Sequence, residues 1–277
     1  MSTDDPQFEQ ALNMWLGQHA NDPAGIYFVE FAGHHCVVKR QHTRRFVALR
    51  RAWQVLRVAA LAWLCWLLLG ERPSTQVLLQ NSLVDEARRL IRLKSSGLRV
   101  PTVWHQTPQL LVLEFVGQDM PYLIRLANPE VRLSLMDSAA QELARFHQAG
   151  FVHGGAQLRN MMMQDGVFTR IDFEENIAEA LSLPLGQAYD VFQMLSSMAG
   201  LRGHEFDVNE RQALCEQLLK SYLQANPDPL LRKQLQKFER KTSFIENYLG
   251  ALLRRVPGRD IQGFLCVSKC LRLLSKR

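Results

Sequence analysis

Apolar residues follow two different periods in this chain, and the two periods occupy different parts of it. Alternating stretches suited to β-strands lie at residues 26–31, 36–39 and 110–115, while helical spacing runs through 80–94, 131–150 and 205–223. Strands fall early and helices late. That order predicts an α+β, bilobal chain: a small lobe of antiparallel strands with one long helix, then a mainly helical lobe starting near Pro121. With 277 residues, 47% of them apolar, the chain has enough material for one two-lobed domain. The expected division is an N-terminal segment 1–24, a small lobe 25–120 with an insert at 44–73, and a large lobe 121–277 ending in a basic segment.

The insert is the most apolar part of the sequence. Its uninterrupted run, Val58 to Leu69, would form a helix about 18 Å long, too short for a hydrocarbon layer of about 30 Å. Trp53, Trp63 and Trp66 stand near Arg44, Arg45, Arg50, Arg51 and Arg57, the composition of a helix lying in an anionic bilayer surface. Packing against its own domain or a second copy is the other reading of such a run. Charge reinforces the first: residues 39–70 hold seven Lys/Arg and no acid, and residues 254–277 hold seven more against Asp260 alone. The C-terminal basic segment alternates Leu with Lys/Arg, which fits an amphipathic helix docked on its own domain or on lipid better than a nucleic-acid contact. Five scattered cysteines, with no C-x-x-C pair and no cleavable signal peptide, read as reduced thiols in a cytosolic setting rather than a metal site.

The richest stretch is FVHGGAQLRNMMMQDGVFTRIDFEEN, residues 151–176. A loop at His153-Gly154-Gly155 is followed by Asn160, a turn at Gln164-Asp165-Gly166, and Ile171-Asp172-Phe173. An amide and a carboxylate brought from neighbouring loops form an oxygen-donor pair for Mg²⁺ on nucleotide phosphates. On these residues the chain resembles the protein kinase-like superfamily, in its atypical bacterial branches: lipopolysaccharide core and Kdo kinases, small kinases of tRNA threonylcarbamoylation, and small-molecule phosphotransferases with H-G-D-x-x-x-x-N and I-D-F-E motifs. The resemblance continues in order over about residues 25–200. CVVKR resembles the strand carrying the phosphate-binding lysine, so Lys39 would hold phosphates, and VDEARRLIRL resembles the helix whose glutamate pairs with it, here Glu86. LLVLEFVG resembles the segment whose backbone meets adenine, at Glu114, Phe115 and Val116. AYDVFQMLSSM resembles a large-lobe helix in which Asp190 would brace the catalytic loop. Asn160 and Asp172 would hold Mg²⁺, with ATP as the nucleotide. Taken singly, a lysine placed like Lys39 usually reads as a snorkelling surface residue and a glutamate like Glu86 as a same-face partner of Arg89, so the order and spacing of the pieces carry the resemblance.

The pattern also departs from the family. Gly155 occupies the position of the acid that accepts the acceptor's proton, and the neighbouring Asp165, Glu174 and Glu175 are not placed by the motif to replace it. Gln157 is a candidate to orient a hydroxyl, and His153 reads as a structural histidine. No G-x-G-x-x-G precedes Lys39, and Gly33 reads as a hairpin turn. Two functions are compatible with this pattern. One is an ATP- and Mg²⁺-dependent phosphotransferase, peripheral on the inner membrane, acting on a sugar or lipopolysaccharide-type hydroxyl. The other is a catalytically impaired pseudokinase that works as a membrane-associated scaffold or regulator.

Overall fold

The computed structural model describes residues 5–20, 22–41, 56, 58–60, 62, 63, 65, 66, 69–80, 82–201, 207–253 and 259–275. Helix α1 (Pro6–Gln18) precedes a hairpin of β1 (Gly25–Phe31) and β2 (His34–Arg40). After the insert come the short helix α2 (Thr75–Leu78), helix α3 (Leu83–Ser95), and strands β3 (Val103–Gln106) and β4 (Leu110–Glu114). These strands form one antiparallel sheet of order β1-β2-β4-β3. The chain then passes through β5 (Gln118–Asp119) into α4 (Met120–Leu126) and α5 (Pro129–Gln148). A hairpin of β6 (Met161–Gln164) and β7 (Val167–Arg170) pairs with β5, and helices α6 (Leu183–Ala199), α7 (Val208–Ala225), α8 (Pro229–Leu253) and α9 (Arg259–Leu271) complete the large lobe.

Strand alternation gives the small sheet two apolar faces. Phe31, Cys36, Val38, Leu110 and Val112 pack on Phe8, Leu12 and Trp15 of α1. These three helix residues are spaced four and three apart, and Asp5 caps the helix by accepting from the Gln7 N–H at 2.9 Å. Residues 6–18, expected only as an N-terminal segment, are thus one layer of the small lobe. Leu111 and Leu113 face the other way, onto Leu83, Ala87, Leu90 and Leu93 of α3, in a cluster that also takes Phe146 of α5 and Phe173. The two lobes therefore share apolar contacts behind the site. Helix α3 starts at Leu83, not at residue 80, because Ser82 and Asp85 form a reciprocal capping box.

The described residues of the insert fall in two environments. Val58 is buried with Leu78 and Ala180, Cys65 is buried, and Leu69 packs on the large-lobe core. Leu56, Trp63 and Trp66 face outward, and the Arg72 guanidinium sits over the Trp66 ring at 5.1 Å. Among the described residues no helix is long and apolar enough to cross a membrane. Trp53, Arg44, Arg45, Arg50, Arg51 and Arg57 lie outside the described residues. At the other end, α9 buries Cys266, Val267, Cys270 and Leu271 in the core alongside Leu214, Cys215 and Leu218 of α7, so this tail docks on its own domain. All five cysteines are free and buried.

Candidate functional site

Lys39 lies on β2 between Ile26 and Leu111, on the face that looks toward α3. Its Nζ donates to Glu86 Oε1 at 2.8 Å, Asp172 Oδ1 at 2.9 Å and Glu174 Oε1 at 3.2 Å. Burial alone would lower the ammonium's pKa, but the Glu86, Asp172 and Glu174 carboxylates outweigh it and raise the pKa above its ordinary value. Burial raises the Glu86 carboxyl, opposed by the lysine beside it. Arg89, the alternative partner for Glu86, turns instead to Glu179 at 3.0 Å and to the Phe173 carbonyl at 2.6 Å. Lys39 is not a snorkelling residue, since its tip is enclosed by carboxylates from both lobes.

Asn160 and Asp172 sit where the β6–β7 hairpin opens, and the Ile171 N–H donates to the Asn160 carbonyl at 3.0 Å. Asp172 has φ 66, a left-handed conformation that an L side chain adopts at a cost of about 1 kcal/mol or more. Asn160 is buried, and its Nδ2 donates to the Gly155 carbonyl at 2.9 Å, which leaves Oδ1 as an acceptor. Glu86, Asp172 and Glu174 each present an oxygen within 4.8 Å of the others, and Glu86 Oε2 is buried without a partner. An all-oxygen, carboxylate-rich set with an orphaned acceptor fits a hard divalent cation such as Mg²⁺.

The backbone of the loop at His153-Gly154-Gly155 is held by buried groups of the large lobe. Asp190 on α6 accepts from the His153 N–H at 2.6 Å and the Gly154 N–H at 2.8 Å. His147 Nε2 lies 3.1 Å from the same carboxylate and its Nδ1 lies 2.6 Å from the Tyr222 hydroxyl. A carboxylate only accepts, so Nε2 carries the proton and Nδ1 accepts from Tyr222. Burial lowers the pKa of His147, so the imidazole is neutral here. Burial also depresses His153, to about 4. Neutral His153 bridges the loop: its Nε2 donates to the Ile171 carbonyl at 3.0 Å and its Nδ1 accepts from the Gly155 N–H at 3.1 Å. Gln157 is half-buried and its N–H donates to the Gly155 carbonyl at 2.7 Å.

At the lobe junction the Phe115 N–H is taken by the His35 carbonyl at 3.0 Å, and the Glu114 side chain is taken by Thr102. The Val116 N–H has no partner among the described residues. A shallow groove of about 450 Å³ here is lined by Phe28, Val29, Glu30, His35, Cys36 and Phe115. One strand, not a glycine-rich hairpin, precedes the lysine strand: β1 turns into β2 through Ala32 and Gly33, and α1 stands before it.

Sequence reasoning missed two acids. Glu174 is a third carboxylate on Lys39, and Glu175 lies over Gly155: a β-carbon built on that glycine would stand 3.5 Å from Glu175 Cδ and 3.4 Å from Asn160 Nδ2. The motif gave no reason to place Glu175 there. The available signal was the acidic doublet directly after Asp172-Phe173.

A family profile, the RIO domain, matches residues 69–181. The KEOPS complex subunit Bud32 of Pyrococcus abyssi is 27% identical over 144 residues, which cover 51% of this chain and 62% of that protein. The chain thus spans less than two thirds of that relative's length. Among solved structures, WaaP in complex with acyl carrier protein is 14% identical and superposes with a TM-score of 0.46 over 90% of this chain and 97% of its own. Rv3197 with erythromycin, from Mycobacterium tuberculosis, is 16% identical with a TM-score of 0.44 over 91% and 73%.

Proposed function

We propose that the chain, similar to the RIO domain and to Bud32, is an atypical member of the protein kinase-like superfamily that binds ATP with Mg²⁺ between its lobes and transfers the terminal phosphoryl group to a small-molecule hydroxyl. The observation that carries this reading is the convergence of Lys39, Glu86, Asp172 and Glu174, with the Asn160 backbone hydrogen-bonded to Ile171 next to Asp172. Lys39 would contact phosphate oxygens, kept in place by the fully buried Glu86. Asp172, Glu174 and the Asn160 Oδ1 would hold Mg²⁺. When bound, that ion supplies charge neutralisation to the phosphate oxygens. Ile26 and Phe28 stand on the same sheet face as Lys39 with their side chains exposed, and they would cover the base while Glu114, Phe115 and Val116 border it with backbone groups.

The segment after Asp172 bears on the nature of the acceptor. Only residues 173–182 separate Asp172 from α6, and they are fastened down: Ser74 donates to the Ala180 carbonyl, and Ser182 donates to Glu71. So short and tied a segment offers no extended platform for a protein substrate. A sugar or lipid-linked hydroxyl fits better, presented at a membrane face to which outward Leu56, Trp63 and Trp66 would bind.

Mg²⁺-dependent ATP binding tests the reading. A ligand at 100 times its Kd stabilises the folded chain by about 2.7 kcal/mol, so Mg·ATP raises Tm in the wild type, and Asp172→Ala loses the Mg²⁺-dependent part. No shift with ATP, with or without Mg²⁺, refutes a nucleotide site. Binding without any turnover would leave the scaffold reading in its place.

A further inference from the structure

The chain lacks an acid at position 155, yet a carboxylate lies over it. Gly154 passes beneath the backbone of Glu175, and Gly155 beneath its side chain. A β-carbon on Gly154 would meet the Glu175 carbonyl oxygen at 2.2 Å, and one on Gly155 would stand 3.5 Å from Glu175 Cδ and 3.6 Å from its Cβ. A carboxyl group borne by residue 155 would extend about one bond beyond that β-carbon, so the Glu175 carboxylate occupies the neighbourhood that an aspartate there would fill. Glycine at 155 is what leaves room for it. The same point lies 3.4 Å from Asn160 Nδ2, so this carboxylate belongs to the same cluster as Asn160. Glu175 is exposed and, unlike Glu174, is not engaged by Lys39.

We propose that Glu175, reaching over from the loop after Asp172, takes the place of the absent acid at position 155 and accepts the proton of the attacking hydroxyl. The proposal rests on the nucleotide-binding function inferred for the Lys39 site. In the step, the acceptor oxygen forms a bond to the γ-phosphorus as the bond from that phosphorus to the β,γ-bridging oxygen breaks. ADP leaves with the electron pair, and the hydroxyl proton passes to a Glu175 carboxylate oxygen. The acid has moved from the loop at 153–155 to the one at 172–176, and the exchange is reciprocal: a glycine where the side chain would start and a glutamate long enough to arrive from the opposite side.

The experiment uses water as the acceptor and follows ADP release from Mg·ATP by the full chain, with nucleotide binding measured in parallel by thermal shift. The expected result is that Glu175→Gln, which keeps size and backbone, lowers turnover about 10²-fold or more while the Mg·ATP shift is retained. Gly155→Asp in the wild-type background brings no gain, because its carboxylate crowds Glu175. The double variant Gly155→Asp with Glu175→Ala, which clears that space, recovers turnover toward wild type. Its β-carbon meets ordinary contacts and the backbone there is not left-handed, so the variant is built to fold.

Three results overturn the proposal: unchanged turnover in Glu175→Gln, a gain of about 10²-fold from Gly155→Asp alone, or a wild type that binds Mg·ATP and releases no ADP. Absent Mg·ATP binding in the wild type refutes the nucleotide-binding reading itself, which separates the two failures.

Discussion

Two adjacent glycines at the base of the site are expected to respond in opposite ways to the same methyl group. Gly154 has φ +88, and its added β-carbon would lie 2.2 Å from the Glu175 carbonyl oxygen and 3.0 Å from the carbonyl carbon. Both are backbone atoms, so no side chain can swing aside. A left-handed conformation costs alanine about 1 kcal/mol relative to glycine, and overpacking costs about 1–3 kcal/mol more. Gly154→Ala should therefore lose about 2–4 kcal/mol. In a chain of this size each kcal/mol moves Tm by about 2–4 °C, so the fall is on the order of 10 °C. Gly155→Ala meets only contacts of 3.4–3.6 Å at an ordinary φ and should change stability by less than about 0.5 kcal/mol, or raise it slightly by restricting the unfolded chain. Calorimetry on the two variants and the parent measures both. Equal Tm values would refute the claim that the Glu175 backbone is pressed onto Gly154, and with it the geometry that puts the Glu175 side chain over Gly155.

Two other outcomes are expected. His153 is held neutral down to about 4 by burial, while its unfolded form takes up a proton near 6.5; stability should fall as pH drops through that window, by about 3 kcal/mol in all, and urea midpoints of His153→Gln should show a flatter acid slope, an unchanged slope counting against the buried neutral imidazole. Replacing exposed Trp63 and Trp66 by Ser should abolish co-sedimentation with anionic phosphatidylserine vesicles while leaving Tm within a few degrees, and undiminished sedimentation would sink the membrane reading.

The features legible in the sequence are those carried by local spacing. Asn160 and Asp172 flank a four-residue-per-strand hairpin with Asp165-Gly166 at its turn, so their proximity follows from a short stretch of chain. Lys39 and Glu86 stand 47 residues apart, and only their order among strand and helix signals joins them. Helix α1 escapes sequence reasoning although Asp5-Pro6 starts it and Phe8, Leu12 and Trp15 repeat at helical spacing, because its partner face exists only once β1, β2 and the distant β4 pair into one sheet. Helix α8 has the same mark in Leu231, Leu235 and Phe238. Glu175 is illegible for a different reason. Its relation to Gly155 crosses between two loops and depends on which way one residue turns, which no periodicity encodes. The RIO profile covers the stretch that carries Glu86, Asn160 and Asp172, the residues on which the resemblance was read, and omits the lysine strand.

Helix α3, through Arg89, and the stretch of chain leading into it are tied to the segment beyond Asp172. Asn176 Nδ2 donates to the carbonyls of Val77 and Gln80, Arg89 binds the Phe173 carbonyl and Glu179, and Ser74 is joined to Ala180. A glutamate borne on a helix so anchored cannot be swung away from its lysine without tearing a row of cross-lobe bonds. Control of the proposed phosphoryl transfer would then act on access for the acceptor or on the supply of nucleotide rather than on the placement of that helix.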